Sequence, residues 1–298
     1  MTNRILCIGE CMVELAPTDD GTYRQGFAGD TFNMAWYLRR LLPTDWKVDY
    51  LTAVGDDAMS GRMLEFMRQS GITTDHVAVR AGGTPGLYLI SVQDGERSFS
   101  YWRGQSAARS LAQDRAALER ACAGARALVF SGITLAILPE SDRHYLLAVL
   151  KAAREAGSRI VFDPNQRPHI WQNANAMRAA VTEAAAISDM VLPSFDDERA
   201  AFGDVSPSAT ADRYARLGVG EVVVKNGSEA IHWRNLKGAG HWQPPPARLV
   251  VDTTAAGDSF NASYLCARLS GADPVAAIVQ AADVAVQVIA ARGALVPL

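Results

Sequence analysis

Cysteine is scarce in this chain. The 298 residues hold four, Cys7, Cys11, Cys122 and Cys266, with no Cys-x-x-Cys pair and no histidine at metal-ligand spacing beside them. A disulfide framework or zinc ribbon is thereby disfavoured, and reduced, mostly buried thiols are expected. Long apolar runs are missing too. No stretch reaches the roughly 20 uncharged apolar residues that a membrane-spanning helix needs. The most apolar segment, 274–291, is interrupted by Gln280, Asp283 and Gln287 and reads as a buried helix. Positive charge is not in excess: 29 Lys and Arg face 32 Asp and Glu, for a net charge of −3, and the basic residues are dispersed. A nucleic-acid surface needs clustered basic charge, so no such partner is expected. The first residues lack the layout of a signal peptide, which points to a cytoplasmic protein without a membrane partner. No Gly-x-Gly-x-x-Gly follows the first apolar run, which disfavours a dinucleotide-binding oxidoreductase.

What is present is ordinary globular material, 49% hydrophobic and 20% charged, enough to bury a sizeable core. Short apolar runs alternate with helical periodicity. The run 4–8 ends at Gly9, and 48–54 precedes a helical pattern over 58–70 closed by Gly71. From 126 onward, runs at 127–130, 159–162, 190–192 and 221–224 are spaced by helical patterns that include 139–156 and 174–186. Two further helices, 257–269 and 274–291, end the pattern. Such alternation predicts an α/β fold with a parallel, doubly wound sheet in three layers, where ligands sit beyond the carboxyl ends of the strands. Residues 84–103 differ. Two β-rich runs, 87–92 and 98–102, flank Asp94-Gly95, a strong hairpin signal. A small β lid is expected, from about 10–28 and 82–105, standing off a single domain over 1–298.

The chemistry-bearing stretch is Asp252-Thr-Thr-Ala-Ala-Gly-Asp-Ser-Phe260, between the apolar run 249–251 and a helical pattern. Small residues let the backbone approach a ligand closely. The first N–H groups of a helix lack intrahelical partners and carry the positive end of its dipole, a ready site for phosphate. Asp258 falls in that first turn, where a carboxylate can take the proton of a hydroxyl as phosphate transfers. A lone Gly-Asp-Ser is as readily a helix cap.

The whole stretch resembles the C-terminal signature of the ribokinase-like (PfkB) carbohydrate kinases, usually Asp-Thr-Thr-Gly-Ala-Gly-Asp. Ile8-Gly-Glu10, Gly29-Asp-Thr-Phe-Asn33 and Val54-Gly-Asp-Asp57 follow the family's order, so the resemblance spans nearly the whole chain. It implies a ribokinase-like fold and an ATP-dependent sugar kinase. Asp258 would be the catalytic base, with the backbone of Ala255, Ala256 and Gly257 as anion hole. Ala255 stands where the family has Gly. The Gly-Asp-Thr-x-Asn form, Ser100-Tyr-Trp-Arg103 and Asp163-Pro-Asn-Gln-Arg167 look like those of 2-keto-3-deoxygluconate kinases.

That substrate class makes chemical sense. It is a polyhydroxy acid, and an Arg fork pairs with a carboxylate bidentately. Arg103 and Arg167 are the candidates. Gly29, Asp30 and Asn33 would hold hydroxyls, and Tyr88 and Tyr101 would pack on the carbon chain. On the nucleotide side the resemblance implies Lys225 and Gly227, with Asn165, Arg167, Ser194 and Gly257 nearby. Mg2+ follows from ATP chemistry. Where the family has Asn-x-x-Glu this chain has Ser194-Phe-Asp-Asp197, then Glu198, leaving Asp197 or Glu198 to order the ion through water. The expected reaction converts ATP and 2-dehydro-3-deoxy-D-gluconate to the 6-phosphate and ADP. The alternatives are a kinase for a neutral sugar such as fructose or ribose, and a non-catalytic sugar sensor on the same fold. An exposed edge and apolar face on the lid predict a homo-oligomer formed through it.

Overall fold

A computed structural model describes residues 2–93 and 96–298, so the Asp94-Gly95 turn lies outside the described residues. The chain runs through β1 (Arg4–Ile8), β2 (Met12–Pro17), β3 (Tyr23–Ala28), α1 (Asp30–Leu41), β4 (Lys47–Gly55), α2 (Ala58–Gln69), β5 (Val77–Arg80), β6 (Leu87–Gln93) and β7 (Glu96–Trp102). It continues with α3 (Arg115–Cys122), β8 (Ala127–Ser131), α4 (Gly132–Ile137), α5 (Glu140–Glu155), β9 (Arg159–Asp163), α6 (Ala174–Ala186), β10 (Met190–Val191), α7 (Phe195–Phe202) and α8 (Pro207–Arg216). It ends with β11 (Glu221–Val224), β12 (Ile231–Asn235), β13 (Gly238–Trp242), α9 (Ala256–Leu269) and α10 (Pro274–Ile289).

Among the described residues the main sheet has the order β13-β12-β11-β10-β9-β8-β1-β4-β5. It is parallel from β5 to β11 and antiparallel at β12 and β13. Strand β1 explains the layers. Ile5 and Cys7 enter one apolar cluster, shared with Phe32 of α1, Tyr264 of α9 and Ile278 of α10. Leu6 and Ile8 enter the other, shared with Leu118 of α3, Leu146 of α5 and Val181 of α6. A parallel strand buried on both faces must be apolar at every position, which is why these runs are readable in sequence. All four cysteines are free thiols, and Cys7, Cys11 and Cys122 are buried.

A second sheet, β3-β2-β6-β7, covers one end of the first. The chain leaves the main sheet at Gly9, and β2 begins the small sheet at Met12. The apolar run 249–251 is not a strand. Leu249, Val250 and Val251 are exposed, and the N–H groups of Val251 and Asp252 are tied to the Ile289 carbonyl at 2.7 and 3.1 Å. No helix among the described residues is long and apolar enough to cross a membrane.

Candidate active site

The carboxyl ends of β9 and β11 and the starts of α1 and α9 converge under the small sheet on a cleft of about 770 Å³. The start of α9 forms its floor. The Ser259 N–H donates to the Ala255 carbonyl at 2.9 Å, so the N–H groups of Gly257 and Asp258 precede helical bonding. Both residues line the cleft, as does Ala255. Ala256 does not, and its N–H is taken by the Thr253 carbonyl at 3.2 Å. Ala255 itself is left-handed, at φ 59° and ψ 14°. That conformation costs an L-residue about 1–2 kcal/mol and accounts for glycine in the usual signature.

The Asp258 carboxylate accepts a hydrogen bond from Asn33 Nδ2 at 2.8 Å, while Asn33 Oδ1 accepts the Gly29 N–H at 3.3 Å. Burial pushes Asp258 up to about 7; the charge of Asp30 adds to the rise and the Asn33 hydrogen bond opposes it. A carboxylate that titrates near neutrality is suited to general-base work. Asp30 in turn accepts from Asn165 Nδ2 at 2.8 Å. Asn165 is left-handed, with φ 31°, and its N–H is held by Asp163 Oδ1 at 3.1 Å. Gly29 is required by close approach, because a Cβ there would lie 2.2 Å from the Glu10 carbonyl oxygen.

Next to the helix start, Lys225 Nζ donates to Asn261 Oδ1 at 3.0 Å and lies 3.5 Å from Asp163 Oδ2. Asn261 Nδ2 donates to the same Asp163 oxygen at 2.7 Å. Burial raises the pKa of Asp163 and the Lys225 charge opposes it. Sequence reasoning assigned no role to Asp163 or Asn261. Asn261 was findable, since it follows Asp258 by one helical turn and shares its face. Ser194, Arg167 and Asp197 also line the cleft, with Arg167 Nη1 at 3.4 Å from Asp197 Oδ2 and 2.7 Å from the Gln166 carbonyl. Glu198 and Gly227 do not reach the wall. Glu198 is fully buried, accepting from Gln166 Nε2 at 2.8 Å and Tyr214 Oη at 2.9 Å and pairing with Arg213. Gly227 lies in the turn after β11, with φ 58°.

The small sheet contributes Tyr88, Phe99, Tyr101 and Arg103 to the roof. The Tyr88 hydroxyl donates to Glu14. The Tyr101 ring stacks on His169, with centroids 5.8 Å apart, so roof and wall touch. Arg103 forms an ion pair with Glu10, a residue no sequence signal had given a role.

The sequence profile of the pfkB family carbohydrate kinases matches residues 2–298. Two 2-dehydro-3-deoxygluconokinases are similar to this chain over 305 aligned residues, covering 100% of it and 98% of each relative. That of Dickeya dadantii is 38% identical and that of Escherichia coli K12 is 35% identical. A fructokinase with bound ATP from Xylella fastidiosa superposes with a TM-score of 0.84 over 99% of this chain and 94% of that one, at 19% identity. The chain belongs to the pfkB family of carbohydrate kinases.

Proposed function

We propose that this sugar kinase transfers the γ-phosphoryl group of ATP to the 6-hydroxyl of 2-dehydro-3-deoxy-D-gluconate. The observation that carries the reading is one cleft lined by a neutral-range carboxylate, Asp258, and by two arginines, Arg103 and Arg167. The sugar acid lies under the small sheet, its carboxylate between the arginines and its hydroxyls on Asp30 and Asn33. Tyr88 and Tyr101 pack on the carbon chain, and Gly29 leaves room for it. The polyphosphate lies along Lys225, Asn165, Ser194 and Arg167, with Gly227 in the turn beyond. Asp258 takes the proton of the attacking hydroxyl, and the N–H groups of Gly257 and Asp258 face the charge developing on the phosphoryl oxygens.

Four acids on the wall, Asp30, Asp163, Asp197 and Asp258, face three cations, Arg103, Arg167 and Lys225. A polyphosphate entering such a cleft needs a cation of its own, which Mg2+ supplies by neutralising phosphate oxygens. Of the two candidate carboxylates, Asp197 lines the cleft and Glu198 is enclosed by Gln166, Arg213 and Tyr214, which favours Asp197 as the one that would order the ion through water.

Trp102, 60% exposed beside half-buried Leu87 and Leu89 on the outer face of the small sheet, supports a homodimer through that face. Four free thiols support a reducing, cytoplasmic setting.

ADP release measured across sugars and sugar acids tests the main reading. Turnover is expected to be fastest with the 2-keto-3-deoxy acid. Asp258→Asn is expected to lower kcat by about 10²–10⁴-fold while calorimetry still detects the sugar acid bound. If Arg103→Ala combined with Arg167→Ala left sugar-acid turnover unchanged, the assignment to an acid would fail.

A further inference from the structure

Glu10 is 1% exposed and lies in the turn between β1 and β2, where the chain passes from the main sheet to the roof. A carboxylate this deep must be paired. Its partners come from the far side of the roof hairpin. Arg103, just past β7, pairs with one oxygen, and the Ser106 hydroxyl donates to the other. The approach is close all round. A Cβ on Gly86, just before β6, would lie 2.7 Å from Glu10 Oε1. The entry to β6, the exit from β7 and the start of α1 are thus gathered around this one residue.

Arg103 is the informative partner. Its side chain is 11% exposed, its guanidinium lies 5.9 Å from the Tyr101 ring centroid, and its buried Nε has no hydrogen-bond partner. Glu10 holds the guanidinium by Nη2. An arginine tethered in this way loses its rotamer freedom before a ligand arrives, while donors remain to meet a second anion.

We propose that Glu10 is a positioning residue, which fixes Arg103 in the orientation that receives the acceptor substrate and so sets affinity for it. Glu10 touches no reacting atom and acts through Arg103. The inference rests on the reading of Arg103 as a substrate contact.

A double-mutant cycle tests it, run with whichever sugar or sugar acid the wild-type enzyme turns over fastest. Wild-type selectivity then judges the functional reading, and coupling judges this one. Glu10→Gln is expected to raise the acceptor KM about tenfold, the scale of one charged hydrogen bond. KM for ATP should stay within about twofold. In an Arg103→Ala background, Glu10→Gln should add nothing. Ser106→Ala, which leaves the ion pair, should keep the acceptor KM within about twofold of wild type. Additive effects of the two variants would overturn the inference. So would a parallel rise in both KM values, or a Ser106→Ala effect as large as that of Glu10→Gln. If Glu10→Gln does not fold, Arg103→Lys decides, because it keeps the charge beside Glu10 but lacks the planar fork of donors that Glu10 would orient. A wild-type acceptor KM in Arg103→Lys would overturn the proposal.

Discussion

Burial and the charge of Asp30 hold the Asp258 carboxyl up to about 7, so a base at this position would gain its charge across the neutral range. Catalytic efficiency, kcat/KM, is therefore expected to rise with pH through about 7 and level off above it. Asn33→Ala removes a hydrogen bond that favours the ionised form, so the midpoint of that limb should move to higher pH; a pH–rate profile measures it. The same group sets a stability cost. Its folded-state value lies above the ordinary 3.8, so the folded form binds the proton more tightly, and stability falls as pH rises from 3.8 to about 7. Asp258→Asn removes that loss. It should melt at a higher temperature than wild type at about pH 8, the gain shrinking below the ordinary carboxylate range. An inactive variant whose gain over wild type is no larger at high pH than at low would contradict the buried, neutral-range carboxyl.

At the scale of elements, legibility followed burial and sequence separation. The parallel strands were readable because both faces are buried, and α9 because its small-residue start is a local signal. The run 249–251 is apolar yet exposed, held by the end of α10 rather than by a sheet partner. β3 left little trace, since Tyr23–Ala28 mixes Arg24, Gln25 and Gly26 among its apolar residues. The Glu10 pairing joins residues 93 positions apart, and no local pattern encodes such a contact. His169 is legible only once Tyr101 of the roof is seen stacked on it. The roof strands β6 and β7 alternate as a two-faced ribbon, Tyr88 and Tyr101 toward the cleft, Leu87 and Trp102 away from it. A charge on the outer face should break association without reaching the cleft. Trp102→Glu is expected to sediment as a monomer at concentrations where wild type is a dimer, and a monomeric wild type would remove this interface.

For the molecule as a whole, the two ends of the parallel sheet do different work. The carboxyl ends carry Asp163, Ser194 and Lys225 into the cleft. Near the amino ends lie ion pairs that lock elements together: Arg4–Asp49 at 3.0 Å, Arg154–Asp189 at 2.7 Å and Arg268–Glu221 at 2.7 Å. Asp49 is the most enclosed of these acids, 4% exposed in its side chain, with His76 at 3.4 Å as a second partner. Burial raises its pKa, but the hydrogen bonds and charges of His76 and Arg4 outweigh that and leave it below the ordinary value. For a lowered carboxylate the sign is opposite to that of Asp258: its contribution is present above the ordinary 3.8 and is lost as pH falls through the folded-state value. Asp49→Asn leaves Arg4 without its counter-charge and should cost about 3 kcal/mol, read as a lower urea midpoint with an unchanged slope. At neutral pH kcat and both KM values should stay within about twofold of wild type, because Arg4, Asp49 and His76, with the Ala121 and Ala123 carbonyls they hold, do not line the cleft. Asp258→Asn should do the reverse, more stable and inactive. If Asp49→Asn shifted KM as well as the midpoint, the two ends of the sheet would be coupled, and this division of labour would be wrong.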